Sequence, residues 1–560
     1  MPQHDQSTLM QRKSGASRLQ HWHYFLLFWL LINGVQIAFT ELSSDEGYYW
    51  FYSSHLQWGY YDHPPMVALL IRIGHSLFGG EFGVRIFNLL FVTGAIYFFF
   101  LLLPQRLRNN KLIFLLLLAA PLVNYLSFLV FPDGPLLFFS MTFLWLFRRF
   151  LKEENLFTAV LLGVSTALMF YSKYHGVLVV FFSFLALPRL ILSRFYWLAM
   201  ITALVLFLPH LWWQYQNDFP TFQYHLTGRS DAFSIDLALQ FLSQQIVAIS
   251  PALIFIPFVA RVQDRFERSL LFIITGTFAF FGFTSFKTFV HFHWTSIAVF
   301  PLLYFAARFY SDGSHRKLFR SLVLPFLVLI VALRVILIFD VGIRSLGEDY
   351  YHGRKDWAHA IEKTSNDDPV FFPNNLREAP LYSFYTGKTG VTLYDRPGKK
   401  SQYELWHFED SLQGRNALVV NKYEFPGSKK IDTNGGVAKY FTRLTDFQSY
   451  FNGISIIVKS QSVQQDSVLF SLQIKNERTN SMRTDTAAKL CAIVMQGKDV
   501  VKTYTAEGVS FPGLAPQQVF NTAIKLPLNE IRDGDYHVYF GFRKTGLPDS
   551  YDSAPFPFKN

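Results

Sequence analysis

ELSSDEGYYWFYSSHLQWGYYDHPPMVALLIRIGHSLFGGEFGVR, residues 41–85, is the stretch on which the reading of the whole chain turns. It follows an apolar run near 22–40 and leads into another near 83–103. Each run is close to the roughly 20 residues needed to cross a bilayer's hydrocarbon. The loop 41–82 therefore joins two candidate spans and carries Asp45 and Glu46 just past the first. An aromatic stretch follows (Tyr48, Tyr49, Trp50, Tyr52, Trp58, Tyr60, Tyr61), then Asp62-His63-Pro64-Pro65. Aromatic rings alone fit an interfacial belt. The carboxylates do not, because charge beside hydrocarbon is costly unless it is partnered or borders a water-filled cavity. Ser43 or Ser44 followed by Asp45 and Glu46 reads as a helix N-terminus, which would hold both acids in fixed geometry. MVALLIRIGHSLF (66–78) then reads as an amphipathic helix lying on the membrane.

Further apolar runs lie near 111–131, 134–150, 156–172, 174–188, 194–213, 240–260, 269–286, 294–309 and 319–340, giving about eleven expected transmembrane helices. Composition agrees: 51% of the 560 residues are apolar and 16% charged, against roughly 25% charged in soluble domains. The net charge of +11 does not point to nucleic acid. Arg106 and Arg108, Arg148 and Arg149, Arg189 and Arg194, Arg261 to Arg268 and Arg316 to Arg320 alternate with basic-poor loops. That is the positive-inside pattern. With Arg12, Lys13 and Arg18 ahead of the first span, residues 1–21 are expected in the cytoplasm. The single Cys491 cannot form an internal disulfide.

From about 345 the apolar runs stop, so the expected domains are a transmembrane domain over 22–344 and two outer segments. Residues 345–455 read as mixed α/β. Residues 456–560 read as a small β-sandwich, since SVLFSLQI (467–474) and DYHVYFGF (535–542) alternate apolar and polar residues. Asn434-Gly435 and Asp533-Gly534 supply turn signals. Trp406, Tyr536, Tyr539 and Phe540 suit a sugar platform, although aromatic core is the commoner use of such residues.

A second exterior acid stands in Phe131-Pro132-Asp133-Gly134-Pro135, where proline and glycine fix its direction. Two rigid carboxylates on one membrane face suit a general base and a metal or hydrogen-bonding partner. Lys173, Arg229 and Lys287 break the positive-inside trend, and each calls for an anion such as a lipid phosphate; snorkelling is the simpler account of each. His291 and His293 with Asp62 or His63 suit either a zinc-like site or interfacial hydrogen bonding.

DEGYYW, GYYDHPPMVALLI, GVRIFNLLF and FPDGPLLFF together resemble the GT-C glycosyltransferases, in particular the bacterial branch related to protein O-mannosyltransferases and the lipid A aminoarabinose transferase, over about residues 20–340. The resemblance implies an inner-membrane enzyme that takes a sugar from a polyprenyl-phosphate donor on the periplasmic face, with no nucleotide cofactor. The acceptor it implies is an envelope glycolipid, a glycan or a protein. It makes Asp45 the catalytic base, Glu46 its acidic neighbour and Asp133 the second acidic position. His63, Lys173, Arg229 and Lys287 become candidates for the donor phosphate. Asp62, His291 and His293 become candidates for a divalent metal (Zn, Mg or Mn). Asp62-His63 departs from the Glu-Lys pair that the aminoarabinose transferases carry before the proline, which shifts the phosphate toward Lys173 or Arg229. A transporter or flippase of lipid-linked sugars is the rival class. It would place ionisable groups mid-span and use paired interrupted helices.

Overall fold

The computed structural model describes residues 19–226, 233–311, 313–339, 341, 352–393, 400–425, 427–433, 438–450, 453–497, 499–531 and 534–559. Arg12, Lys13, Arg18, Arg229, Asn434-Gly435 and Asp533 lie outside the described residues.

Every apolar run singled out in the sequence is helical. Among the described residues, five helices are long and apolar enough to cross a membrane: His21–Phe39, Gly80–Leu102, Arg194–Gln216, Arg265–Thr284 and Arg316–Ile338. Two bent pairs raise the number to as many as seven. Lys111–Leu118 and Pro121–Phe128 meet at 65°, and Ile235–Ile249 and Pro251–Val259 at 100°. The count of about eleven is thus not confirmed. Leu156–Ser172 and Gly176–Leu185 are apolar but short. In both bent pairs a proline opens the second limb, where its missing N–H suits a first turn and its ring cannot continue the preceding one.

The chain divides into two compact units that do not follow sequence order: 1–39, 85–208 and 231–335 form the first, and 40–84, 209–230 and 336–560 the second. At the centre of the first lies the Asp133–Phe150 helix, which buries side chains on all its faces, among them Leu136, Leu137, Phe143, Leu144 and Phe147. A helix apolar all round is a central one. Arg316–Ile338, by contrast, leaves Val328 68% and Val331 54% exposed, as lipid-facing residues should be. Gly163 lets two helices approach: a Cβ there would stand 2.5 Å from the Ala199 carbonyl oxygen. Glu267, buried, accepts from Arg308 Nη1 at 2.5 Å, Tyr304 Oη at 3.1 Å and the Gln263 N–H at 2.7 Å. A buried charge is tolerated on those terms.

The second unit contains the helices Ser44–Ser53 and Met66–Phe78 and the whole C-terminal part. Strands β1 (Val370–Pro373), β2 (Gly390–Leu393), β3 (Ala417–Asn421), β4 (Lys429–Ile431) and β5 (Lys439–Leu444) form a mixed sheet in the order β2-β1-β3-β5-β4. Strand β1 is parallel to both neighbours and β5 antiparallel to both of its own. With the helices Arg354–Ser365 and Ala379–Thr386 this is a mixed α/β segment.

Beyond it, β6 (Ile454–Gln464), β7 (Ser467–Asn476), β8 (Met482–Gln496), β9 (Asp499–Leu514), β10 (Val519–Pro527), β11 (Asp535–Arg543) and β12 (Phe556–Lys559) form two antiparallel sheets, β10-β7-β6 and β12-β11-β8-β9. Val468, Phe470, Leu472 and Ile474 of one sheet share a core with Leu490, Val494, Val538, Phe540 and Phe542 of the other. The result is a β-sandwich. Tyr536 and Phe540 belong to that core, and Tyr539 packs beside Tyr551 against Cys491, Ile493 and Met495. These three aromatics therefore serve packing and form no sugar platform.

Candidate active site

In the second unit Ser43 is the N-cap of the Ser44–Ser53 helix and forms a full capping box with Glu46. The Ser43 N–H donates to Glu46 Oε2 at 2.9 Å, and the Glu46 N–H donates to Ser43 Oγ at 3.4 Å. Glu46 is fully buried, so its carboxylate is committed to building the helix start. Asp45, one residue earlier in the same turn, stays exposed to solvent. Crowding by surrounding protein raises its carboxyl pKa. Arg377 opposes that rise, Asp62 and Glu46 add to it, and Arg354 opposes it more weakly. Arg354 is itself seated here. Its backbone N–H donates to Glu41 Oε2 at 2.7 Å and its Nη1 to Ser44 Oγ at 3.1 Å.

The Asp62-His63 motif lies in the same unit. Tyr52 donates to Asp62 Oδ1, and its phenol pKa is pushed well above the usual range by burial and then by the Asp62 charge. Asp62 Oδ2 stands 3.9 Å from His63 Nε2, which is 3.4 Å from the Tyr49 hydroxyl. The segment after β2 clamps the loop: the Tyr61 N–H donates to Gln402 Oε1 at 2.7 Å, and the Gln402 N–H donates to the Tyr48 hydroxyl at 2.9 Å. Tyr403 stacks on Phe51 at 4.0 Å, and Trp406 joins the same cluster at 5.2 Å from Phe51.

Asp133 belongs to the first unit. Gly134 is required beside it, because a Cβ would fall 1.8 Å from Asn88 Oδ1. Asn88 is in turn held by its Nδ2 donating to the Leu126 and Leu129 carbonyls at 2.8 and 3.1 Å. Asp133 is fully buried; Lys173 Nζ donates to Oδ2 at 2.7 Å and Ser296 Oγ to Oδ1 at 2.8 Å, with His293 Nε2 at 3.9 Å.

Lys173 thus has an anionic partner within the protein. The anion it meets is Asp133, since burying either charge alone would be far costlier than burying them as a pair. Lys287 is exposed just past the Arg265–Thr284 helix. His291 and His293 lie 5.5 Å apart, ring to ring. Among the described residues no three His, Cys, Asp or Glu side chains are grouped to hold a metal ion, so Asp62, His291 and His293 gain no support as a ligand set. Sequence reasoning overlooked Arg354, Arg377 and Ser296. The two arginines looked like ordinary charges of a soluble segment, and a serine inside an apolar run carries no signal.

Residues 62–213 match the family model described as dolichyl-phosphate-mannose-protein mannosyltransferase. The fold matches ArnT from Cupriavidus metallidurans in the apo state with a TM-score of 0.56, covering 75% of this chain and 97% of that one at 15% identity. At that identity the match shows a shared fold. ArnT bound to undecaprenyl phosphate matches similarly, with a TM-score of 0.55 at 16% identity over 75% of this chain and 97% of that one. A curated relative, the lipid A galacturonosyltransferase RgtD of Rhizobium johnstonii, is 27% identical over 227 residues, or 39% of this chain and 48% of the relative. The chain thus spans about half the length of that relative.

Proposed function

We propose that this protein transfers a sugar from a polyprenyl-phosphate donor to a hydroxyl or phosphate of a lipid A-type envelope glycolipid, on the periplasmic side of the bacterial inner membrane. The observation that carries the reading is Asp45: a solvent-open carboxylate on the first turn of a capped helix, outside the spans, with a raised pKa. A carboxylate so placed is a stronger base than an ordinary aspartate. The relative RgtD acts on lipid A and ArnT was crystallised with undecaprenyl phosphate, which supports the acceptor and donor classes. The alternation of basic loops supports the orientation.

In the proposed reaction Asp45 takes the proton of the acceptor hydroxyl as its oxygen attacks the anomeric carbon. The bond from that carbon to the lipid phosphate oxygen breaks on the opposite face, giving inversion and a polyprenyl phosphate anion. Glu46 positions Asp45 through the capping box. His63, Lys173, Arg229 and Lys287 are the candidates to receive the phosphate.

The test uses purified full-length protein with a radiolabelled polyprenyl-phosphate sugar and lipid A. Asp45→Asn should lower transfer about 10²–10⁴-fold while the protein keeps its elution profile and melting curve. A fully active Asp45→Asn enzyme would refute the reading. Transfer to protein but not lipid A would replace the acceptor with the O-mannosyltransferase-like alternative that the matched family model favours.

A further inference from the structure

Arg334 lies in the Arg316–Ile338 helix, about one turn before its end, inside a segment otherwise apolar from Leu322 to Val335. A snorkelling arginine would extend toward the headgroups. Arg334 turns inward instead: Nη2 donates to Asn33 Oδ1 and to Asn124 Oδ1, both at 2.8 Å, and the guanidinium lies 5.2 Å from the Phe128 ring centre. Asn33 and Asn124 are themselves 0% and 2% exposed.

Both amides are fixed from behind. Asn33 Nδ2 donates to the Trp29 carbonyl at 2.8 Å. Asn124 Nδ2 reaches the carbonyls of Leu117, Leu118 and Ala120 at 3.2, 3.0 and 2.9 Å. Those carbonyls lie at the 65° break between the Lys111–Leu118 and Pro121–Phe128 helices, and of the three only that of Leu118 has no backbone donor among the described residues. Each Asn must therefore present its oxygen to Arg334.

The charge is solvated on one side only. Among the described residues both bonds fall on Nη2, while Nη1 and Nε have no protein acceptor and no carboxylate lies within ion-pair distance. A guanidinium in a span with two neutral partners and an open donor edge is matched to a tetrahedral oxyanion, which that edge can bind in bidentate fashion.

We infer that Arg334, with Asn33 and Asn124, is a seat for a phosphate carried into the membrane on a lipid. The inference deepens the proposed function by supplying a receptor for the lipid phosphate of the donor or the released carrier. A polyprenyl phosphate and a bulk anionic lipid share this chemistry, so the test must separate them.

The experiment reconstitutes the full chain in phosphatidylcholine nanodiscs and measures binding of undecaprenyl phosphate, phosphatidylglycerol and inorganic phosphate by native mass spectrometry. Arg334→Gln should weaken undecaprenyl phosphate roughly tenfold or more. Donor KM should rise similarly with kcat little changed. Arg334→Lys should lose less. Asn33→Asp, which gives the arginine an internal counter-charge and keeps the fold if Arg334→Gln does not, should also lower binding. Equal loss of phosphatidylglycerol makes the occupant a general anionic lipid and keeps the seat. Undecaprenyl phosphate binding unchanged in folded Arg334→Gln and in Asn33→Asp overturns it. If the wild type binds phosphatidylglycerol through Arg334 but neither binds nor uses polyprenyl phosphate, the proposed function fails and the seat stands.

Discussion

Replacing Lys173 by Met tests how the first unit tolerates its buried acid. Lys173 Nζ stands 2.7 Å from Asp133 Oδ2, the two side chains are 6% and 0% exposed, and among the described residues the remaining oxygen of Asp133 accepts from Ser296 Oγ alone. Removing the ammonium leaves a carboxylate with one neutral donor in a desolvated site, at a cost of about 3–5 kcal/mol. Removing both charges, in Asp133→Leu with Lys173→Met, leaves no orphan ion and should recover most of that loss. A coupling of about 2 kcal/mol or more is therefore expected. Unfolding in mixed micelles titrated with SDS, followed by tryptophan fluorescence, measures all three variants against wild type. The alternative is that Lys173 serves a ligand phosphate; Lys173→Met would then unfold like the wild type and show only a raised donor KM. That outcome, or a double variant as unstable as the single one, would refute the ion-pair account.

Four further outcomes follow from the geometry. Ser43→Ala, which removes one arm of the capping box, should cost about 1 kcal/mol and lower transfer by loosening Asp45, with both effects read on one preparation. Gly134→Ala drives a methyl into Asn88 Oδ1 and should cost about 1–3 kcal/mol, visible as a lowered melting temperature. The acid limb of the pH–rate profile should lie above the usual carboxylate range, because the base must be ionised and the Asp45 pKa is raised. A raised pKa also means that the folded state holds this proton more firmly than the unfolded chain. The stability linked to it is present at acid pH and is lost as pH rises through the folded pKa. Asp45→Asn should accordingly melt no lower than wild type at neutral pH, and higher if the linkage is large enough to measure.

Much of this was legible beforehand where the controlling interaction is local. Ser43, Asp45 and Glu46 signal a cap within four positions, and the alternation in 467–474 and 535–542 signals strands, because a period of two or a cap is set by neighbouring residues. The helix breaks at Pro121 and Pro251 were not read. Each proline lies inside an apolar run, and hydropathy averages across it. The partners of Asp133 were missed for a different reason: Lys173 and Ser296 come from other helices, and an exterior lysine looks the same in sequence whether it meets a protein acid or a ligand. Arg334 did leave a trace, a lone charge within an apolar run, and that trace was passed over.

The second unit is assembled from three separated stretches of chain, and this has a consequence for the order of its making. The Leu42 N–H bonds the Tyr385 hydroxyl, Arg354 bonds Glu41, and Gln402 bonds Tyr48 and Tyr61, across separations of 313 to 354 residues. Such pairings cannot form until most of the polypeptide has left the ribosome, so residues 41–82 must wait through most of synthesis without their partners. The helix that carries Asp45 can be capped early, but its surroundings are completed late. A chain stopped short of residue 400 would carry the acid without the residues that seat its loop. Nascent-chain proteolysis should find the first loop cleavable until those residues emerge, and protected afterwards.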